Sequence, residues 1–203
     1  MKLSLEAWLK LLELAPRREL KPLESDRVDV VLFTDGYYPD ARKGESGKAQ
    51  VGAVLFAAGG TTQPLYLSEQ LEQHTVDTWI TRQNQISMVE LFAPVLALHA
   101  MEESVKGKRL LLFVDSEAVE GALVKGYSSR ADLSELVGKF WEQAARLDCL
   151  VYICRVSTDG NPADGPSRPG KCIPAPELHW KKVTTTLVHE LARVQKRAWE
   201  RGS

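Results

Sequence analysis

Apolar runs of two kinds divide the chain into short strands and longer helices. Runs of strand length occur at 28–34, 50–58, 62–67, 109–114 and 149–156. Apolar positions at helical spacing occur at 85–104, 116–125 and 131–147. Three strands followed by alternating helices and strands predict an α/β protein, in which one mixed sheet is flanked by helices.

Two amphipathic segments flank this central pattern. The first has leucine and tryptophan at helical spacing over 3–14, and the second has aliphatic residues at the same spacing over 183–200. We therefore expect three parts, which are an N-terminal helix and linker (1–25), an α/β domain (26–170) and a C-terminal helical extension (171–203).

Two of the predicted strands run directly into a carboxylate. Asp35 follows VDVVLFT, and Asp115 follows LLLFV. A strand–helix–strand connection between parallel neighbours would bring both residues to the edge of the sheet where open α/β sheets bind ligands. Each has an alternative role, since Asp35 and Gly36 could form a turn and Asp115 could cap the next helix. Adjacent carboxylates repel each other, so the pair favours a cation between them.

Glu90 and Asp164 are two further acidic residues in unusual places. Glu90 shares a helix face with apolar residues, and no Lys or Arg occurs from Gln83 to Val105. A buried carboxylate without a cation is strongly unfavourable. Glu90 is therefore predicted either to bind a cation or to reach solvent at the helix edge. Asp164 lies in NPADGPSR, a sequence that is also typical of a turn.

The composition is that of a folded intracellular protein. Of the 203 residues, 44% are hydrophobic and 26% are charged, and the formal net charge is −1. Any polyanion must therefore be held by local basic patches. Charged residues interrupt the apolar N-terminus, which is not typical of a secretion signal, and no run reaches the roughly 20 apolar residues that span a bilayer. Three cysteines without a CxxC pair indicate reduced thiols. We expect a cytoplasmic or nuclear protein that does not bind membranes.

Four short motifs occur in order along the chain: FTDG, ISMVE, LLLFVDS and NPADGPSR. Together they resemble the ribonuclease H domain of retroelement reverse transcriptases. The resemblance implies a five-stranded mixed sheet and a site that binds two Mg²⁺ ions, with Mn²⁺ as a substitute. The four carboxylates of that site would be Asp35, Glu90, Asp115 and Asp164. One departure is the loop 156–160, which lacks the histidine that cellular members of the family carry before the last aspartate.

The same resemblance implies a metal-dependent endonuclease that cleaves the RNA strand of RNA/DNA hybrids by a two-metal-ion mechanism. Its partners would be the hybrid and an adjoining reverse transcriptase polymerase domain. Residues expected to contact the substrate lie beside the carboxylates or are basic, and they are Gly36, Asn84, Gln85, Ser116, Lys125 and Arg168. Two alternatives stay open. One is a catalytically silent module that binds nucleic acid or a polymerase partner, and the other is a nuclease of this fold that acts on DNA.

Overall fold

A six-stranded mixed sheet forms the centre of the protein. The computed structural model describes Leu5 and residues 9–13, 28–40, 44, 47–60, 62–171 and 173–194. The sheet has the strand order β5-β4-β1-β2-β3-β6. The strands are β1 (Val30–Tyr37), β2 (Gln50–Ala57), β3 (Leu65–Gln70), β4 (Arg109–Val114), β5 (Leu150–Arg155) and β6 (Lys181–Val183).

Helices flank the sheet, and the predicted mixed α/β class is confirmed. Their bounds, in the part of the chain just given, are α1 (Gln73–Val76), α2 (Ile86–Ala100), α3 (Glu102–Val105), α4 (Glu117–Lys125), α5 (Ala131–Arg146), α6 (Asp164–Ser167) and α7 (Val188–Ala192). The first five strands and the helices α2, α4 and α5 all occur where the apolar pattern predicts them.

The central strand β1 has an antiparallel neighbour on one side and a parallel neighbour on the other. It pairs with β2 so that Asp35 lies opposite Gly52. It pairs in parallel with β4 so that Phe33 lies opposite Phe113. The helix α2 makes the connection from β3 to β4. The β1–β4 pairing ends at Phe33 and Phe113, two residues before Asp35 and Asp115, so both carboxylates belong to the carboxyl ends of these neighbouring parallel strands.

The helix α2 forms the centre of the hydrophobic core. Almost all of its side chains from Met88 to Leu98 are buried, and the helix contacts β1, β2 and α5. The amphipathic helix α5 turns Leu136, Val137 and Phe140 into the same core. Burial of apolar surface on this scale holds α2 firmly against the sheet, so a side chain on its first turns has a fixed place relative to β1.

The C-terminal segment differs from the helix that the sequence predicts. Residues 181–183 form β6, which pairs in parallel with β3, and residues 184–187 are not helical. The prediction of a helix over 183–200 is therefore wrong for 183–187 and for 193–194, while residues 195–203 lie outside the described part. Three consecutive threonines at 184–186 are poor helix formers. The edge of β3 also offers unpaired backbone groups that a neighbouring strand can satisfy.

Residues 181–194, which we call the C-terminal strap, pack onto the domain instead of extending from it. The indole nitrogen of Trp79 donates a hydrogen bond to the carbonyl of Ala192 at 2.8 Å. The Lys139 Nζ donates to the carbonyl of Leu191 at 3.0 Å. Ala192 and Val194 are buried in the core. The strap thus covers both an edge of the sheet and one end of the helical layer.

Half of the N-terminal helix predicted over 3–14 lies outside the described residues. Leu5 and residues 9–13 are helical, and Lys10 Nζ lies 3.7 Å from the carboxylate of Glu142 on α5. Leu5, Leu9 and Leu12 are exposed. No helix within the described part of the chain has the length and apolar character needed to cross a membrane.

Candidate active site

Asp35 lies within β1 and not after it. The strand continues for two residues to Tyr37, so Asp35 and Gly36 do not form the turn that was the alternative for this dipeptide. Asp35 is opposite Gly52 of β2 and is only 5% exposed. A carboxylate inside a central strand cannot rotate freely into water, and it must find its partners within the fold.

Two glycines let helices approach β1 and β2 closely. A Cβ on Gly36 would lie 2.5 Å from the backbone nitrogen of Glu90, and a Cβ on Gly52 would overlap the backbone nitrogen of Ser167. Because side chains of successive strand residues point to opposite faces, Gly36 meets α2 on one face and Gly52 meets α6 on the other. Asp35 is therefore placed between Glu90 and the segment that carries Asp164.

Asp115 and Ser116 connect β4 to α4 beside Glu90. Ser116, and not Asp115, is the N-cap residue of α4, so the alternative role of Asp115 as a helix cap is not realised. The Ser116 side chain makes a hydrogen bond with the carboxylate of Glu90. The carboxylates of Glu90 and Asp35 both lie close enough to Asp115 to be affected by its charge.

Asp164 is the first residue of α6, and two cations hold its carboxylate. Arg168 Nε donates to Oδ1 at 2.5 Å, and Lys171 Nζ donates to Oδ2 at 2.6 Å. The guanidinium of Arg168 also lies 5.7 Å from the ring centroid of Tyr37, at a distance typical of a cation–π contact. Asp164 still contributes to the field at Asp35, but both of its oxygens have partners.

The pKa values separate these carboxylates into two groups. Burial raises the pKa of Asp35 to about 6, and the hydrogen bond from Ser167 opposes this rise. Burial, together with the charges of Asp115 and Asp35, raises the pKa of Glu90 to about 7, and the hydrogen bond from Ser116 opposes this rise. Burial also acts to raise the pKa of Asp164, but hydrogen bonds from Lys171 and Arg168 outweigh it and hold that pKa below its usual value.

The carboxylates do not yet have the arrangement of a metal site. Among the described residues, no three His, Cys, Asp or Glu side chains are grouped so that they could hold an ion. Three of the carboxylates instead turn to Ser167, Ser116 and the two cations near Asp164.

The residues expected to contact substrate have different surroundings. Asn84 accepts a hydrogen bond from the backbone of Ile86 at the start of α2. Gln85 is buried and donates to the carbonyl of Ile80. Lys125 is exposed at the far end of α4, about 13 Å along the helix from Ser116 at 1.5 Å per residue. Gly36 serves the close approach of α2, and Ser116 and Arg168 bind the carboxylates already described.

Arg82, which lies just before Asn84 and Gln85, has a structural partner on α5. Its guanidinium donates to both carboxylate oxygens of Asp132 at 2.7 and 2.6 Å. Asp132 is 1% exposed. A bidentate pair of this kind fixes orientation, and it holds the turn before α2 against the first turn of α5.

Sequence reasoning missed three polar residues that build the site. Ser167 donates its hydroxyl hydrogen to Oδ2 of Asp35. Asn161 donates to the carbonyl of Thr34 at 3.0 Å, and Gln50 donates to the carbonyl of Pro166 at 2.8 Å. Their partners are more than 100 residues away along the chain, so no local pattern identifies them. Beside them, an open cleft of about 700 Å³ is lined by Asp159, Asp164, Arg168 and Lys171.

No protein-family model and no curated protein sequence matches the chain. The chain is similar to the solved structure of LC11-RNase H1, isolated from compost by a metagenomic approach. The TM-score is 0.54 and the identity 17%, with 69% of this chain and 93% of that chain covered. In complex with an RNA/DNA hybrid, the same enzyme gives a TM-score of 0.48 at 16% identity, covering 66% of this chain and 91% of that one.

A third similar structure is the native protease–reverse transcriptase of prototype foamy virus. Its TM-score is 0.47 and its identity 20%, with 72% of this chain and 21% of that chain covered. The TM-scores of these last two structures are below 0.5 and carry no argument about the fold, so the fold assignment rests on the structure with a TM-score of 0.54. At 17% identity that likeness establishes the fold and leaves the activity open. The six-stranded sheet with its flanking helices thus has the ribonuclease H-like fold.

Proposed function

We propose that the protein is a metal-dependent endonuclease that cleaves the RNA strand of RNA/DNA hybrids. One observation supports this most strongly. Asp35, Glu90 and Asp115 come from three separate elements, the charge of Asp115 acts on the other two carboxylates, and burial raises the pKa values of those two. Buried acids that destabilise one another are typical of a functional site.

The donor chemistry of the carboxylates suits a divalent cation, and we propose two Mg²⁺ ions with Mn²⁺ as a substitute. All four candidates offer hard oxygen atoms, which Mg²⁺ prefers. Asp35, Glu90 and Asp115 would hold the ions, and Asp164 would join them after leaving Arg168 and Lys171. When bound, two such ions polarise a phosphate oxygen and activate a water for in-line displacement.

The surrounding side chains would orient the substrate. Ser116 and Asn84 lie at the starts of α4 and α2, beside the carboxylates, and both can bind a ribose 2′-hydroxyl, which is the group that distinguishes RNA from DNA. Arg168 and Lys125 are cations that can bind phosphate. These roles, like the placement of the domain next to a reverse transcriptase polymerase, are proposals that rest on the four sequence motifs.

A cleavage assay tests the proposal directly. The purified chain should cut a labelled RNA/DNA hybrid in Mg²⁺, should spare duplex RNA and duplex DNA, and should be inactive after chelation. Asp115→Asn keeps the size of the side chain and removes its charge, so cleavage should fall by roughly a hundredfold or more, as when charge stabilisation at an active site is lost. Asp148→Asn is the matched control, because Asp148 is exposed at the opposite end of the sheet.

The silent binding module is a second candidate, and the ion pairs of Asp164 favour it. Arg168 and Lys171 occupy both oxygens of the carboxylate that would complete the metal site. If these ion pairs persist, the chain should bind the hybrid with equal affinity with and without Mg²⁺ and should not cut it. Cleavage of duplex DNA in the same assay would instead identify a DNA-acting nuclease.

A further inference from the structure

Ser167 joins two parts of the proposed site through one hydroxyl group. Its side chain is fully buried. The hydroxyl donates to Oδ2 of Asp35, and it also lies 3.1 Å from the backbone carbonyl of Asp164. A serine has a single hydroxyl hydrogen, so only one of these oxygens can accept it at a time, and the closer one belongs to Asp35.

The backbone around Ser167 leaves the residue little freedom to move. Its amide donates to the carbonyl of Ala163 at 3.0 Å, and the preceding carbonyl, that of Pro166, accepts a hydrogen bond from Gln50. On the β2 side, only the absence of a side chain at Gly52 lets this backbone lie so close. Ser167 is therefore a fixed donor, whose position is set by its own segment and by β2.

We propose that Ser167 is a positioning residue that fixes the carboxylate of Asp35 for metal binding. Its hydroxyl holds Oδ2 and so limits rotation of the carboxylate about the Cβ–Cγ bond. The other oxygen then remains to bind a cation without first losing rotational freedom. This inference rests on the proposed function of the site, because it assigns Asp35 as a ligand.

A purely structural role for Ser167 predicts a different outcome. A buried hydroxyl that only satisfies a buried carboxylate would stabilise the fold and would leave metal affinity unchanged. A residue that orients a ligand changes metal affinity, and loss of such a partner typically weakens binding about 10–100-fold. The affinity of the substrate-free protein for Mn²⁺ or Mg²⁺ distinguishes the two roles without reference to cleavage.

The test compares Ser167→Ala with Ser68→Ala in the full chain. Ser68 accepts a hydrogen bond from Gln50 at 3.1 Å, so its loss disturbs the anchor of the same segment without touching Asp35. Metal binding is titrated by calorimetry with Mn²⁺, and the Mg²⁺ concentration for half-maximal cleavage is measured beside it. Ser167→Ala should weaken both about tenfold or more, whereas Ser68→Ala should match the wild type.

The outcomes separate this inference from the proposed function. Unchanged metal affinity in Ser167→Ala, or an equal loss in Ser68→Ala, overturns the inference while the wild type still binds metal and cuts. A wild type that neither binds metal nor cuts overturns both. If Ser167→Ala does not fold, the same measurements on Ser167→Cys replace it. A thiol is a weak donor, so this variant should also bind metal more weakly than the wild type.

Discussion

Glu90 and Asp164 show that carboxylates of one site can have opposite electrostatic surroundings. Burial raises the pKa of Glu90 to about 7. Asp164 has two cationic partners, and its pKa lies below the usual value despite burial. Glu90 therefore favours folding most when it is protonated, and Asp164 when it is ionised. A divalent cation would stabilise the first, but it would have to compete with Arg168 and Lys171 for the second.

Glu90→Gln should stabilise the metal-free protein at about pH 8 but not at about pH 4. The folded-state pKa of about 7 lies above the usual 4.5. The stability linked to Glu90 is thus fully present below about pH 4.5 and is lost as the pH rises to about 7. Glutamine has no proton to lose. At about pH 8 in EDTA, the melting temperature of Glu90→Gln should therefore exceed that of the wild type by a few degrees. About 1 kcal/mol corresponds to roughly 2–4 °C for a chain of this size.

Glu103→Gln is the control for this comparison, because Glu103 is exposed on the neighbouring helix α3 and its replacement changes the net charge equally. Its melting temperature should follow that of the wild type at both pH values. A destabilised Glu90→Gln at about pH 8 would contradict the argument, since it would mean that a cation within the fold depends on Glu90.

Glu90 and Ser167 show which features of the site a residue pattern can predict and which it cannot. A glutamate on an apolar helix face, with no Lys or Arg from Gln83 to Val105, is visible in the sequence because helical periodicity is local. The hydroxyl of Ser167 has its partner on β1, 132 residues away. Contacts of this kind depend on how separate elements pack, so periodicity cannot predict them.

At the scale of elements, the site depends on how closely α2 lies against β1. Gly36→Ala would place a Cβ 2.5 Å from the backbone of Glu90, so the helix must move away from the strand. We expect a loss of stability of about 1–3 kcal/mol, the usual cost of overpacking, and a loss of cleavage because Glu90 moves with the helix. Denaturant unfolding and the hybrid assay measure the two effects.

Gly121→Ala on α4 is the matched control, because a Cβ there meets nothing within 4 Å. It should be neutral or should stabilise the helix by up to about 1 kcal/mol, as alanine does relative to glycine inside helices. Equal stability and activity of Gly36→Ala and Gly121→Ala would show that the approach of α2 to β1 is not needed.

The strands and helices that the sequence predicts correctly are those whose apolar pattern alone determines their burial. The strand β4 is a continuous apolar run, and the helix α5 repeats its apolar residues at helical spacing, so the burial of both follows from the sequence. The strand β6 has no such pattern, since two of its three residues are lysine. It is a strand because β3 lies beside it, and this tertiary partner outweighs the helical spacing of the residues that follow.

At the scale of the whole molecule, the C-terminal strap joins the sheet to the helical layer. Trp79→Phe keeps an aromatic ring in the core but leaves the carbonyl of Ala192 without its donor, at a cost of about 1–3 kcal/mol. Hydrogen exchange should then increase mainly in residues 181–194. Trp141→Phe removes an equivalent bond, to the carbonyl of Leu123 at 3.0 Å, and should leave the strap protected. Equal exchange of the strap in both variants would show that Trp79 does not hold it.

The pairing of β6 with β3 also has a consequence for biosynthesis. The residues that pair with Leu65 to Leu67 follow 116 positions later in the chain. During translation, this edge of the nascent sheet therefore stays unpaired until residues 181–183 have left the ribosome. An open edge can recruit strands from other chains, and pairing over so long a separation is slow. We therefore expect nascent chains that stall before residue 181 to depend on chaperones more than complete ones do.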